Sequence, residues 1–212
     1  NIDNNNKNFS VEVIDEQTKV LLLTSVLHPD IGAIKKAIES NKQRSLKVSV
    51  IDKLKYKLTD FQLIILYQPN NLFKSVLNRI KQLNLNSIVV TGGDSDWNFI
   101  NKQQLGFTKK AINETENFGA VYNSSFLTFL QKDIGFNNFP LLKDKFGDIS
   151  FYKGHQDLLL QSINGLELEQ PLLSVLEQNN HKMAVIFGQG VWKWRASSFL
   201  STNSFQEFDQ FI

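Results

Sequence analysis

Three apolar runs, each only as long as a strand, constrain this chain more than any other feature. Lys19–Val26, Phe61–Tyr67 and Asn86–Thr91 offer few polar side chains to solvent. Strands of this kind are covered on both faces, which is the habit of parallel sheets flanked by helices. Segments of helical spacing lie between them. Ile31, Ile34, Ala37 and Ile38 share one face of a helix over 31–40, with Asp30 as its expected N-cap. Leu72, Val76, Leu77 and Ile80 do the same for a helix that Asn70 or Asn71 can cap and that runs to Leu83. With a further strand over 46–51, the order is strand, helix, strand, strand, helix, strand. Short connections in that order predict an α/β fold with a mostly parallel, doubly wound sheet.

From Phe118 to Gly188 the pattern changes to short runs separated by Gly, Asn and Pro. Phe126–Leu130, Ile149–Tyr152, Asp157–Ile163, Pro171–Leu176 and Lys182–Phe187 read as antiparallel strands added to the sheet in the C-terminal half. Asn203–Ile212 returns to helical spacing, with Phe205, Phe208 and Ile212 on one side. Asn1–Asn8 is polar and Asn-rich, and Phe9–Ile14 alternates as an edge strand would. No repeat or linker divides residues 19–212, which read as a single domain after a lead-in or edge strand over 1–18. Asn1 is not a start methionine, and the chain is expected to belong to a longer protein whose other domains are its partners.

Cysteine is absent, which excludes disulfides, thiolate-bound zinc and a thiolate nucleophile. The 23 basic and 21 acidic side chains leave a net charge of +2, too small a field to suggest nucleic acid. No run approaches the roughly 20 apolar residues of a membrane span.

Ligands of doubly wound sheets sit beyond the carboxyl ends of the parallel strands. His28-Pro29-Asp30, Gln68-Pro69-Asn70 and Gly92-Gly93-Asp94-Ser95-Asp96 all belong there. One reading makes a crevice of His28, Asp30, Gln68, Thr91, Gly92, Gly93, Asp94 and Asp96, with carboxylates as metal ligands and His28 as base or ligand. The other makes Asp30 and Asp94 helix caps and gives His28 a turn. Gly92-Gly93 is a poor phosphate cradle, since no Lys follows and two Asp do. Thr24, Ser25, Thr91 and Ser95 are the candidate hydroxyl nucleophiles, yet none lies in a Gly-x-Ser-x-Gly elbow. His155 and His181 fall in apparent loops. Trp192, Trp194 and Arg195 form a candidate aromatic surface: two apart, the Trp rings share a face in an extended segment and diverge in a helix. They serve either a ligand or the core.

Lys19–Val26 with His28-Pro29-Asp30, the strand Leu63–Tyr67 and the ending Ala184–Arg195, with its Gly-Gln-Gly-Val-Trp-Lys-Trp-Arg string, resemble the class I glutamine amidotransferase-like fold, a flavodoxin-like relative. The likeness is to the degenerate form in bacterial membrane-anchored, von Willebrand A domain-containing envelope proteins. Catalytic members carry a Gly-x-Cys-x-Gly elbow and a late His-Pro-Glu segment. Here Thr91-Gly92-Gly93 and Gly188-Gln189-Gly190 stand in those places, so none of that family's catalytic residues carries over. The resemblance thus implies a non-catalytic binding or structural module of a larger cell-envelope protein, with neither cofactor nor metal. It would lie outside the cytoplasm on the periplasmic side, its partner an envelope protein or a small-molecule ligand. The alternative is a hydrolase or metal-dependent enzyme using His28, Asp30, Asp94 and Asp96.

Overall fold

Val20 to Thr24 are buried without interruption, because helices cover the first strand from both sides. In the computed structural model, which describes residues 17–178 and 181–212, that strand is β1 (Thr18–Thr24). The expected edge strand Phe9–Ile14 lies outside the described residues. Helix α1 (Pro29–Glu39) follows, and its cap is His28 rather than Asp30. Pro29 takes the first helical position, where its missing N–H costs nothing, and this draws Asp30 into the first turn. Next come β2 (Arg44–Val50), β3 (Leu63–Tyr67), α2 (Lys74–Leu83) and β4 (Ser87–Val90). A short helix α3 (Trp97–Lys102) leads into β5 (Phe107–Tyr122), β6 (Leu142–Phe151), β7 (His155–Ile163), β8 (Leu166–Gln178) and β9 (His181–Ile186). Helices α4 (Val191–Thr202) and α5 (Gln206–Phe211) close the chain.

The described residues form a nine-stranded sheet in the order β2-β1-β3-β4-β9-β8-β7-β5-β6. Strand β1 pairs in parallel with β2 and β3, β3 with β4, and β4 with β9. Beyond β9 every pairing is antiparallel. The expected mostly parallel, doubly wound sheet is therefore corrected to a mixed one, half antiparallel by its pairings. The cause is β5, sixteen residues long, whose Lys, Thr, Glu and Asn side chains concealed a strand that never needed two covered faces. Its pairing with β6 shifts register between Ala111 and Thr115 and continues to Phe118, after which Gly119–Tyr122 pair with β7. The expected strand Phe126–Leu130 is a loop, with Leu127 and Leu130 largely exposed. An Asx turn begins it, the Ser125 amide donating to Asn123 Oδ1 at 3.0 Å.

Two apolar layers flank the sheet. Val20 and Leu22 face α1, α4 and α5 through Ile34, Ile38, Trp194 and Phe208. Leu21 and Leu23 face α2 and α3 through Val76, Ile80, Trp97 and Phe99. Among the described residues no helix is long and apolar enough to cross a membrane.

Candidate functional site

The crevice lies where β1, β3, β4 and β9 end, and its centre is a residue the sequence did not single out. Gln189 follows β9 between Gly188 and Gly190, both at positive φ. Its Oε1 accepts from the Gly93 amide at 3.0 Å and from Gln68 Nε2 at 2.8 Å. Gln68 in turn accepts the Asp94 amide at 2.7 Å. Gly92 is required by this close approach, because a Cβ there would stand 2.4 Å from Gln189 Oε1. On the other side Gln189 Nε2 lies 3.3 Å from His28 Nε2. His28, Gln68, Gly92, Gly93 and the Asp94 backbone thus do converge, with Gln189 between them.

Asp30 is fully buried and saturated with donors. Its Oδ2 accepts from Gly190 N at 2.7 Å and Tyr67 Oη at 2.9 Å, and its Oδ1 from Trp192 N at 2.9 Å. Burial first, then the charge of Asp30, pushes the Tyr67 hydroxyl well above its ordinary value, so it stays a donor. His28 Nδ1 lies 3.2 Å from the Asp30 amide and 3.3 Å from Asp30 Oδ2. A proton on Nε2 would face the Gln189 amide donor against donor. A proton on Nδ1 would leave Nε2 accepting from Gln189 but would face the Asp30 amide, which donates to Nδ1, beside an Oδ2 that already holds two donors, so each neutral tautomer sets one donor against another. The imidazole lies between the Asp30 carboxylate on its Nδ1 side and the Gln189 amide on its Nε2 side.

The remaining candidates go elsewhere. Asp96 caps α3, accepting from Phe99 N at 2.9 Å. The Asp94 side chain is exposed, and among the described residues no three His, Asp or Glu side chains gather as a metal would need. Ser95 Oγ accepts the Gly92 amide at 2.9 Å, Ser25 Oγ accepts from Asn70, and the Thr24 hydroxyl donates to Val26 O. Thr91 turns away from His28 and donates to Asp144 Oδ2 at 2.9 Å, where Lys109 Nζ also lies at 2.9 Å. Burial holds the Lys109 ammonium below its usual range and the Asp144 carboxyl above its own, each opposed by the other's charge. Neither residue carried a signal in sequence. His155 stacks on Phe151 at 3.7 Å beside Asp157, far along the sheet from β1, and His181 opens β9 at the opposite edge from the crevice.

The two tryptophans lie on a helix and diverge. Trp194 is 1% exposed, packs against Phe136, Phe139 and Phe211, and donates Nε1 to Pro140 O. Trp192 is 38% exposed. Arg195 binds both oxygens of Asp209, at 2.8 and 3.1 Å, and lies 3.8 Å over the Phe205 ring. A two-ring platform therefore does not exist, and Trp192 alone faces out.

No family model matches the chain, and no curated protein does. Solved structures do match. An α-L-fucosidase isoenzyme 2 from Paenibacillus thiaminolyticus is 12% identical with a TM-score of 0.54, over 92% of this chain and 32% of its own. The exo-β-1,4-mannosidase Op5Man5 from Opitutaceae bacterium strain TAV5 is 8% identical with a TM-score of 0.57, over 92% and 35%. Agd3, a carbohydrate deacetylase, is 6% identical with a TM-score of 0.52, over 91% and 32%. The chain thus spans about a third of each, and identities this low speak for the fold alone. These neighbours correct the amidotransferase resemblance, and with it the flavodoxin-like label, the non-catalytic envelope module and the expectation that the chain is no enzyme: the similar chains belong to carbohydrate-processing enzymes.

Proposed function

We propose that this chain is a domain of a larger carbohydrate-processing enzyme that acts by hydrolysis, and that the crevice around His28 handles the sugar. The observation that carries the reading is the match of nine-tenths of the chain to about a third of a fucosidase chain and of a mannosidase chain. The chemistry of the crevice is compatible with it. A sugar hydroxyl both donates and accepts, so it can take the place of the Gln189 amide. Its oxygen would accept from Gly93 N–H and Gln68 Nε2, and its proton would go to His28 Nε2. Asp30 would hold the imidazole in place. The candidate hydroxyls are engaged elsewhere, so the base would activate water rather than a side chain. The other domains of the longer protein would be its partners in this reading.

The test is release of nitrophenol from nitrophenyl fucosides and mannosides, and of acetate from acetylated sugars. Turnover by the chain is expected, falling about 10²–10⁴-fold in His28→Ala. No turnover with any of these substrates, or turnover that His28→Ala leaves intact, would sink the proposal.

A further inference from the structure

Trp192 stands beside the crevice, its backbone amide fixed to Asp30 and its ring exposed. The ring borders a shallow groove of about 310 Å³ between α1 and α4, lined by Pro29, Gly32, Ala33, Lys36 and Arg195 as well. We propose that this groove is a pyranose subsite, in which one sugar ring stacks on the Trp192 indole while Lys36 donates to its hydroxyls. The subsite rests on the carbohydrate reading of the crevice and names where a neighbouring sugar unit would lie.

Three observations converge on it. An indole presents a large, rigid, polarisable face at small entropic cost, and the apolar C–H face of a pyranose is its natural complement. The floor is open: a Cβ on Gly32 would meet nothing within 4 Å, so a ring can lie down between the helices. The polar groups suit a neutral, hydroxyl-rich ligand. The charge of Arg195 is already balanced by Asp209, whereas Lys36 is exposed and has no ion-pair partner among the described residues. A groove walled by the Trp192 and Phe205 rings, floored by small side chains and edged by one available donor fits a sugar better than it fits an apolar helix, which would leave Lys36 buried and unpaired.

The experiment follows the Trp192 indole N–H resonance while fucose, mannose or N-acetylglucosamine is added to the whole chain. At least one sugar is expected to shift that resonance. Trp192→Ala should weaken its binding tenfold or more. Gly32→Leu, which fills the groove without touching the indole's anchor and suits a helix better than glycine, should weaken it comparably. Trp192→Phe should keep part of the affinity. Sugar binding or turnover that leaves the resonance and both variants unaffected would overturn the subsite and leave the carbohydrate reading standing. Absence of both binding and turnover for every sugar would overturn the two together.

Discussion

At Gly92 one hydrogen in place of a methyl group decides whether the crevice can close. Its backbone needs no special conformation; the constraint is distance, since a Cβ would stand 2.4 Å from Gln189 Oε1 and 2.9 Å from Gln68 Cδ. Gly92→Ala must therefore push the Gln189 amide aside, at a cost of about 1–3 kcal/mol in urea unfolding. In a Gln189→Ala background the same change should cost about 1 kcal/mol less, because the clashing oxygen is gone. Strict additivity of the two variants would show that the amide does not sit there. Sequence placed Gly92 and Gly93 in a candidate crevice and left Gln189 out of it. It could not show that they meet, because 96 residues separate Gly93 from Gln189. For the same reason Lys109 and Asp144 passed unnoticed: a buried charge looks like a surface one until its partner is known.

Among the elements, α4 depends on a residue of another helix. Its first turn has no capping side chain of its own, and the amides of Gly190 and Trp192 end instead on the Asp30 carboxylate of α1. Orphan amides at a helix start favour a negative charge, so Asp30 pins α4 to α1. Asp30→Ala is expected to cost about 2–4 kcal/mol by chemical denaturation, since it leaves buried donors without partners. A loss below about 0.5 kcal/mol would mean that α4 is held by packing alone. Strands β1, β3 and β4 were legible because both of their faces are covered, which writes an apolar run into the chain. Helix α4 was not. Its inner face includes Ser198 while Leu200 points outward, so no apolar stripe repeats at helical spacing. Strand β5 was hidden by its polar composition, and the sheet's mixed character was hidden with it.

Across the molecule, the Lys109–Asp144 pair and Thr91 join the parallel half of the sheet to the antiparallel half. Burial penalises both charges, so Lys109→Met leaves a carboxyl alone in the core. That should cost about 3–5 kcal/mol at neutral pH. The raised Asp144 carboxyl takes up a proton in the folded chain where the unfolded one, at its ordinary value of 3.8, is still ionised. The variant is then most stable below that value and loses stability as pH rises through the window up to the folded-state value. Thermal melts from pH 4 to 7 would show the penalty growing; a flat difference from the unmodified chain would refute it. Lys109→Met with Asp144→Leu should recover most of the loss. The strand order has a consequence of another kind. Strand β9 is the last strand among the described residues, yet it pairs with β4 on one side and β8 on the other. A ribosome must therefore release the chain through Gln189 before the crevice can exist. Until then the paired edge of β4 stays bare, an opening for chaperones or for mispairing in the nascent chain.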